Sequence, residues 1–206
     1  MTSEGAPGGS RFSTYLDELQ AAVRAVPAQQ VQAVVDLLRE ARSRGATIFF
    51  CGNGGSASTA THFACDLAKN TIHPRFGRFR TAALNDNVAL LSAWGNDDGY
   101  ERVFLEQAQN LMKPGDVLVA ISGSGNSPNV LLAAEHVRAL GGRVIGLIGF
   151  RGGRLRELCH LALVVPGRMI EQAEDGHLIL NHAICTMIRA VDAATATGAA
   201  AAGNEA

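Results

Sequence analysis

Four imidazole and carboxylate side chains have the spacing that an acid–base or metal site requires. His62 and Asp66 lie four residues apart, so a helix over this segment places both side chains on one face. Glu174 and His182 differ by about 80° around a helix axis and can also converge, whereas His177 points well away from His182. Pairs from two helices could hold a divalent metal such as zinc, or act as general acid and base around a substrate. The residues alone leave both roles open.

Two glycine- and serine-rich stretches form the second chemical feature of the chain. The first loop, residues 51–57, reads CGNGGSA, and the second loop, residues 122–127, reads SGSGNS. Each follows a short apolar run and precedes a segment with helical character. Glycines let the backbone approach a ligand, and the N–H groups at a helix N-terminus favour an anion. Hydroxyl donors come from Ser56, Ser122, Ser124 and Ser127.

Neither loop matches a nucleotide-binding motif. The chain has no G-x-x-x-x-G-K-[ST] P-loop and no G-x-G-x-x-G dinucleotide fingerprint. A triphosphate normally needs a cation beside its loop, and neither stretch contains lysine, so a phosphate monoester such as a sugar phosphate fits better. Ordinary strand-to-helix turns with capping serines are the simpler alternative. Two such loops in one small domain favour phosphate binding.

The apolar pattern predicts the elements that position these residues. Strands are expected at residues 47–51, 79–84, 116–121, 143–148 and 161–165. Helices are expected between and after them at residues 56–69, 87–94, 99–112, 128–140, 154–158 and 171–195. This alternation predicts an α/β fold, a three-layer αβα sandwich with a five-stranded parallel sheet of the flavodoxin-like or Rossmann-like type. Ligands bind such sheets beyond the carboxyl ends of the strands, where both loops occur.

Two amphipathic helices are expected ahead of the first strand. The first begins at Arg11 and ends before Pro27, and its apolar face consists of Phe12, Leu16, Leu19 and Val23. This hairpin can cover the sheet or pack on a second subunit. We expect a disordered leader at residues 1–10, one domain over residues 11–195, and a flexible alanine- and glycine-rich tail at residues 196–206.

Composition and charge exclude several classes of protein. A chain of 206 residues with 47% hydrophobic content can bury one good core. The net charge of −1 gives no electrostatic grip on nucleic acid or on an anionic membrane. No apolar run approaches the roughly 20 residues that span a bilayer, and the first residues lack the apolar core of a signal peptide. The four cysteines are scattered without a CxxC pair, which favours free thiols in a cytoplasmic protein.

Three motifs, taken in their order along the chain, resemble those of the sugar isomerase (SIS) proteins. They are GNGGSA at residues 52–57, HFA at residues 62–64 and SGSGNS in the second loop. More narrowly, they resemble the phosphoheptose isomerases, which interconvert sedoheptulose 7-phosphate and an aldoheptose 7-phosphate. The likeness runs from the N-terminal helices to Arg189. It implies a SIS domain assembled as a homotetramer with active sites between subunits, and one divalent metal, zinc, fits each site.

The resemblance also implies roles for individual residues. Asp66 and His182 correspond to the catalytic acid–base pair, and the metal ligands would be His62, Asp66, Glu174 and His182. The substrate and its phosphate would be bound by Asn53, Gly54, Ser56, Asp97, Ser122, Gly123, Ser124, Ser127, Glu171 and Glu174. For Asp97, in the turn-like segment GNDDGY, the residues alone favour a plain turn, and only the resemblance implies contact with substrate.

Three positions depart from the usual residues of the family. Asp66 stands where the pattern His-Phe-Ala-x-Glu has the catalytic glutamate, Glu174 replaces a common glutamine, and Glu171 replaces an aspartate. A base at Asp66 must therefore sit nearer its target, because aspartate is one methylene shorter. Asp66 and Glu174 together make the cluster more anionic, which suits a divalent cation, since two nearby carboxylates otherwise repel each other. We interpret the set as a coordinated variant that leaves product stereochemistry at C2 open.

The expected reaction is proton transfer between C1 and C2 of an open-chain sugar phosphate through an enediol. It makes the protein an aldose–ketose isomerase that converts sedoheptulose 7-phosphate to a D-glycero-heptose 7-phosphate, with the manno configuration or its C2 epimer. One alternative is a non-catalytic scaffold of the same fold that binds a replication-initiator protein. Another is a phosphosugar-sensing or amino-sugar-handling module. The intact His/Asp/Glu/His set argues against a scaffold, and the single domain argues against a sensor.

Overall fold

A computed structural model describes residues 7–202 of the chain, with side chains described for residues 10–197. Within this range, five parallel strands form one sheet in the order β2-β1-β3-β4-β5. The strands are β1 Thr47–Cys51, β2 Arg80–Ala83, β3 Val117–Ser122, β4 Arg143–Gly149 and β5 Leu161–Val165. The predicted five-stranded parallel sheet is confirmed.

Eight α-helices flank this sheet in the described residues. They are α1 Pro7–Arg24, α2 Ala28–Ser43, α3 Gly55–Lys69, α4 Val88–Asp97, α5 Val103–Leu111, α6 Pro128–Ala139, α7 Leu155–Leu158 and α8 Ile170–Ala202. Residues of α2, α3 and α8 form a hydrophobic cluster on one face of the sheet, and residues of α5, α6 and α7 form a second cluster on the other. The three-layer αβα arrangement is therefore also confirmed. Among these helices, none combines the length and the apolar character that crossing a bilayer takes.

The strand register brings both loops to one edge of the sheet. β3 lies in the middle, buried at every position, as expected for a parallel strand covered on both faces. Cys51, the last residue of β1, pairs with Ala120, and Ser122 at the end of β3 pairs with Ile148. The first loop leaves β1 and the second loop leaves β3, so the two loops are neighbours. This is the carboxyl edge at which ligands bind in such sheets.

Several element boundaries differ from those expected. α1 begins at Pro7 rather than Arg11, since proline is well suited to the first helical position; residues 7–10 of the expected leader are thus helical. The rest of that leader, residues 1–6, lies outside the described residues. α8 continues to Ala202, because its alanine-rich end has high helix propensity, and the last four residues of the expected tail lie outside the description.

The predicted helix over residues 99–112 is interrupted. A 3-10 turn, Tyr100–Arg102, precedes α5. Gly99 adopts a φ of +99°, a backbone conformation that favours glycine and prevents a continuous helix from starting there. The turn brings the Tyr100 hydroxyl to the first loop, where it lies 3.0 Å from Asn53 Oδ1.

The apolar face of α1 is largely uncovered in the single chain. Phe12 is 65% exposed and Leu16 is 45% exposed. Polar contacts also hold α1 in place: the Tyr15 hydroxyl donates to Asp175 Oδ2 of α8 at 2.5 Å, and Arg168, just before α8, pairs with Glu18. The hydrogen bond to Asp175 raises the pKa of Tyr15 to about 12. The N-terminal part of the apolar stripe, Phe12 and Leu16, therefore faces solvent, whereas Leu19 and Val23 further along α1 are half-buried.

A buried ion pair anchors α8 to α2. Asp192 accepts hydrogen bonds from Arg42 Nη1 at 2.7 Å and from Arg39 Nε at 3.0 Å. Burial by itself raises the pKa of Asp192, but the donors on Arg42 and Arg39 outweigh it and hold that pKa below its ordinary value. The Arg42 guanidinium also lies 4.7 Å from the ring centroid of Phe79. These contacts fix the helix that carries Glu174 and His182.

Candidate active site

Three of the four predicted acid–base or metal residues converge where α3 packs on α8. His62 Nε2 lies 3.1 Å from Asp66 Oδ2 and 3.2 Å from His182 Nε2. His182 Nε2 lies 3.5 Å from Asp66 Oδ2. One donor atom from each of the three residues thus lies within 4.8 Å of the other two. The spacing of four on α3 places His62 and Asp66 on one face, and helix packing supplies His182.

Two amides, the exposed Asn70 and the buried Asn181, orient the Asp66 carboxylate. Asn70 Nδ2 donates to Asp66 Oδ1 at 2.8 Å, and Asn181 Nδ2 donates to Asp66 Oδ2 at 3.3 Å. Both carboxylate oxygens are therefore held, with Oδ2 turned toward the histidines. The sequence reasoning missed both asparagines. Asn70 follows Asp66 by four residues, a usable signal, whereas Asn181 shows its role only once α8 is placed against α3.

The three-residue group is open to a ligand. The side chains of His62 and His182 are 45% and 53% exposed, although Asp66 behind them is buried. An open cavity of about 600 Å³ lies beside the group and is lined by Ala57, Ser58, Thr61, His62, Cys65, Asp66 and Asn85. This cavity reaches the first turns of α3, so the group and the first loop face a shared space.

The first loop makes a tight turn from β1 into α3. A side chain at Gly52 would come within 2.7 Å of the Ser56 carbonyl oxygen, so only glycine fits there. Gly54 adopts a φ of +54° and precedes the first residue of α3. Ser56 is buried at the start of the helix. The amide nitrogens of this turn lie at a helix N-terminus, where an anion is favoured.

The second loop brings its serines together. Ser122 Oγ lies 3.4 Å from Ser127 Oγ and accepts a hydrogen bond from the Gly125 amide at 3.1 Å. Ser124 is exposed, and its Oγ accepts from the Asn126 amide. A side chain at Gly123 would come within 2.1 Å of Ile170 at the start of α8. The loop therefore lies between β3 and the helix that carries His182.

Amide side chains join the first loop to the start of α6, the helix that follows the second loop. Asn53 Nδ2 donates to Asn129 Oδ1 and Asn129 Nδ2 donates to Asn53 Oδ1, both at 2.9 Å. The Tyr100 hydroxyl donates to Asn53 Oδ1 at 3.0 Å. Asn129 and Tyr100 were not among the predicted residues, and nothing in their local sequence signals a contact with Asn53. These contacts hold Asn53 of the first loop against the N-terminus of α6.

Comparisons with known proteins agree with this geometry. The family described as the SIS domain matches residues 11–149. The phosphoheptose isomerase of Burkholderia pseudomallei (strain 1710b) is 40% identical over 158 residues, covering 77% of this chain and 80% of that protein. The chain belongs to the phosphoheptose isomerase family. The resemblance inferred from the motifs is confirmed.

Two further phosphoheptose isomerases extend the likeness over more of the chain. That of Helicobacter hepaticus is 38% identical over 179 residues, covering 87% of this chain and 90% of that protein. The solved structure of the phosphoheptose isomerase from Neisseria gonorrhoeae superimposes with a TM-score of 0.80 at 31% identity, covering 88% of this chain and 96% of the other.

Glu174, where the phosphoheptose isomerase pattern commonly has glutamine, does not join the three-residue group. A side chain at Gly55 would come within 2.4 Å of the Glu174 carboxylate, which places that carboxylate against the first turn of α3. Among the described residues, the side chains whose donor atoms converge as metal ligands are His62, Asp66 and His182. The structure therefore sets Glu174 beside the first loop, against Gly55, which precedes His62 by about two turns of α3.

The remaining predicted residues lie at the margins of the site. Asp97 is exposed at the end of α4, where it accepts a hydrogen bond from Asn96. Glu171 is exposed in the first turn of α8, and its charge helps to raise the pKa of Tyr15 after the larger effects of Asp175 and burial. Neither residue joins the three-residue group in the described part of the chain.

His177, on the same helix as His182, is fully buried. Neither of its ring nitrogens has a hydrogen-bond partner among the described residues. Burial lowers the pKa of His177 to about 4, because the charged form would lose its hydration. His177 therefore stays neutral at ordinary pH and, as the helix geometry predicts, lies outside the three-residue group.

Proposed function

We propose that the protein is an aldose–ketose isomerase that converts sedoheptulose 7-phosphate to a D-glycero-heptose 7-phosphate. One observation carries this proposal: the His62–Asp66–His182 group opens beside two neighbouring serine loops in a chain whose relatives are named phosphoheptose isomerases. Asp66 and His182 act as the acid–base pair. A scaffold that binds a replication-initiator protein is not favoured, because binding a partner protein requires no such group.

The reaction needs two proton movements at neighbouring carbons. In the ketose-to-aldose direction, a proton leaves C1 and the C2 oxygen is protonated, which gives the enediol. Return of a proton to C2, with loss of the proton on the C1 oxygen, gives the aldose. Asp66 Oδ2 and His182 Nε2, 3.5 Å apart, are close enough to act on adjacent atoms of one substrate. Asn70 and Asn181 hold the carboxylate in position.

The serine loops bind the phosphate at the other end of the sugar. Hydroxyl donors come from Ser56, Ser122, Ser124 and Ser127. Backbone N–H groups come from the first loop around Gly54 and from the second loop around Gly123. Binding the phosphate there holds C1 and C2 near the acid–base pair and lowers the entropic part of the barrier. Asn53, Asp97, Glu171 and Glu174 complete the proposed substrate contacts through the family resemblance.

A divalent metal such as zinc fits the three donor atoms. Two imidazoles and a carboxylate are typical zinc ligands, and their donor atoms lie within 4.8 Å of one another. When bound, the ion supplies a Lewis acid for the sugar oxygens. His62, Asp66 and His182 would hold it, and Glu174 is proposed as a fourth ligand on the resemblance alone. The chain's own groups then orient the substrate and move its protons.

The assembled protein is proposed to be a homotetramer in the cytoplasm, with active sites between subunits. A second copy covers the exposed apolar face of α1 around Phe12 and Leu16. Four free cysteines suit a reducing compartment. The molar mass measured by light scattering tests this assembly. The double variant Phe12→Ser/Leu16→Ser is expected to give a species smaller than the tetramer. The control Leu111→Ser, at another exposed apolar residue, is expected to keep the tetramer. An unaltered mass for the α1 variant would contradict this interface.

The isomerase proposal is tested by incubating metal-loaded protein with sedoheptulose 7-phosphate in deuterium oxide. NMR is expected to show an aldoheptose 7-phosphate and deuterium at C1 or C2, and to give the configuration at C2. His182→Ala is expected to lose this exchange. The control variant His73→Ala is expected to keep it, because His73 lies in the loop that precedes β2, on the side of the sheet where the strands begin. Equal exchange by His182→Ala would remove His182 from the mechanism, and no product from the unaltered protein would refute the proposed substrate.

A further inference from the structure

We propose that Asn129 is a positioning residue that sets the orientation of the Asn53 amide, so that the first loop offers a donor to the ligand. The inference rests on the proposed function in one respect, the contact of Asn53 with a phosphate-bearing ligand. Asn129 itself is 2% exposed and lies at the second residue of α6. It therefore acts through Asn53 rather than by touching the ligand.

The orientation of Asn129 is set by its own backbone neighbour. The Val130 amide nitrogen lies 3.0 Å from Asn129 Oδ1. A backbone N–H can only donate, so the side-chain atom that faces it must be the oxygen. The Asn129 amide is buried and has this single satisfactory orientation, because the reverse one would place Nδ2 against the Val130 N–H.

The orientation of the Asn129 amide in turn determines the orientation of the Asn53 amide. The two amides pair head to tail, with N–H···O bonds of 2.9 Å in both directions. Rotating the Asn53 amide by 180° would put oxygen against oxygen and N–H against N–H, and both bonds would be lost. The Tyr100 hydroxyl adds a further donor to Asn53 Oδ1. A buried backbone group in α6 thus determines which atoms of the first loop remain free.

The only hydrogen-bonding groups of the Asn53–Asn129 pair that these bonds leave unused are N–H donors. Asn53 Oδ1 already accepts from Asn129 and Tyr100, and Asn129 Oδ1 accepts from Asn53 and Val130. A carbonyl oxygen has two lone pairs, so both oxygens are saturated. Each amide nitrogen has one N–H that these bonds do not use. Asn53 can therefore donate to a phosphate oxygen, and its carbonyl oxygen is kept from repelling that anion.

A mutant cycle on phosphate binding tests this role. Asn129→Leu keeps the branching of the side chain at Cγ and removes the pairing, and we expect it to raise the Kd for inorganic phosphate by about tenfold, measured by calorimetry. The KM for sedoheptulose 7-phosphate should rise with it, while kcat changes less than about threefold. In an Asn53→Ala background, adding Asn129→Leu should change the Kd by less than about twofold.

The matched control is Gln107→Leu. Gln107 is equally buried and also loses two hydrogen bonds, to the carbonyl oxygens of Leu84 and Val103. It is expected to lower Tm while leaving the Kd for phosphate within about twofold of the unaltered protein. A general loss of stability would move both variants alike, so this comparison separates positioning of Asn53 from weakened folding.

Each outcome decides the inference. An unchanged Kd in Asn129→Leu, or an equal effect with and without the Asn53 side chain, overturns it, because Asn129 then does not act through Asn53. Absence of phosphate binding by the unaltered protein overturns it as well. Failure of the proposed function is seen separately: a protein that binds phosphate but does not isomerise sedoheptulose 7-phosphate refutes the substrate, while the mutant cycle still tests Asn129.

Discussion

The Nε2 atoms of His62 and His182 lie 3.2 Å apart, although the two residues are 120 positions apart in the chain. At this separation at most one of the two nitrogens can carry the hydrogen between them, and Asp66 Oδ2 faces both. Two imidazoles and a carboxylate held this closely share protons or a cation more readily than separated side chains do.

Metal removal tests the donor set. Dialysis against a chelator is expected to lower kcat/KM, and added zinc to restore it. His62→Ala and His182→Ala should each weaken zinc binding by at least about tenfold in a competition assay, because each removes one of three converging ligands. His73→Ala serves as the control histidine. Unchanged zinc affinity in both site variants would show that the ion binds elsewhere.

Asn181→Ala is expected to lower kcat/KM by roughly 10- to 100-fold, the usual cost of losing a group that orients a ligand or base. The reason is that Asn181 donates to the Asp66 oxygen that faces the histidines. Asn181→Asp should be worse, because a second carboxylate would then oppose Asp66. Steady-state kinetics with zinc in excess checks this, and Asn87→Ala, which removes a cap of α4, is the matched control. Full activity in Asn181→Ala would contradict the positioning of Asp66.

Gly55→Ala tests the placement of Glu174. The added methyl group would meet the end of the flexible Glu174 side chain, so we expect that carboxylate to move while the fold stays intact. Alanine is also the better helix former by up to about 1 kcal/mol, so the free energy of unfolding should not fall. Activity is expected to drop about tenfold or more.

The control for this pair is Gly77→Ala, where an added methyl group meets nothing within 4 Å. In a Glu174→Ala background, Gly55→Ala should have little further effect on activity, because the displaced carboxylate is already absent. Equal losses in both backgrounds would mean that Gly55 matters for another reason, such as the approach of the ligand to the backbone.

His177 should make the protein sensitive to mild acid. Its pKa is lowered from 6.5 to about 4 by burial, so the unfolded chain takes up a proton below pH 6.5 while the folded chain does not. The stability is therefore complete above pH 6.5 and is lost as the pH falls toward 4. At pH 5 the loss amounts to about 2 kcal/mol relative to pH 7.5.

Urea unfolding of the unaltered protein and of His177→Leu at pH 7.5 and pH 5 checks this expectation, since the variant should lack that part of the loss. The pKa of His160 is also lowered, by burial and then by Arg143, so the difference between the two proteins is the relevant quantity. Asp192, whose pKa lies below its ordinary 3.8, loses its contribution only at lower pH. The same loss in both proteins would show that His177 is not responsible.

Local pattern was sufficient for the fold. Apolar runs and turn residues predicted five parallel strands with helices between them, and two strands, Thr47–Cys51 and Leu161–Val165, have the predicted limits. The sequence also predicted that His62 and Asp66 share one helix face, and the order of the glycine and serine motifs indicated the family. Period, turn chemistry and family motifs depend on residues that are near neighbours in the chain.

Only the tertiary structure decided how the site is completed. Asn181 orients Asp66, Asn129 orients Asn53, and Glu174 lies against Gly55 rather than beside His182. These contacts join side chains that are 76 to 115 positions apart where a hydrogen bond is made. Their existence depends on the rotation and depth at which α8 and α6 pack against the sheet, which helical periodicity does not specify. The sequence thus determined which groups are available, and packing determined which of them meet.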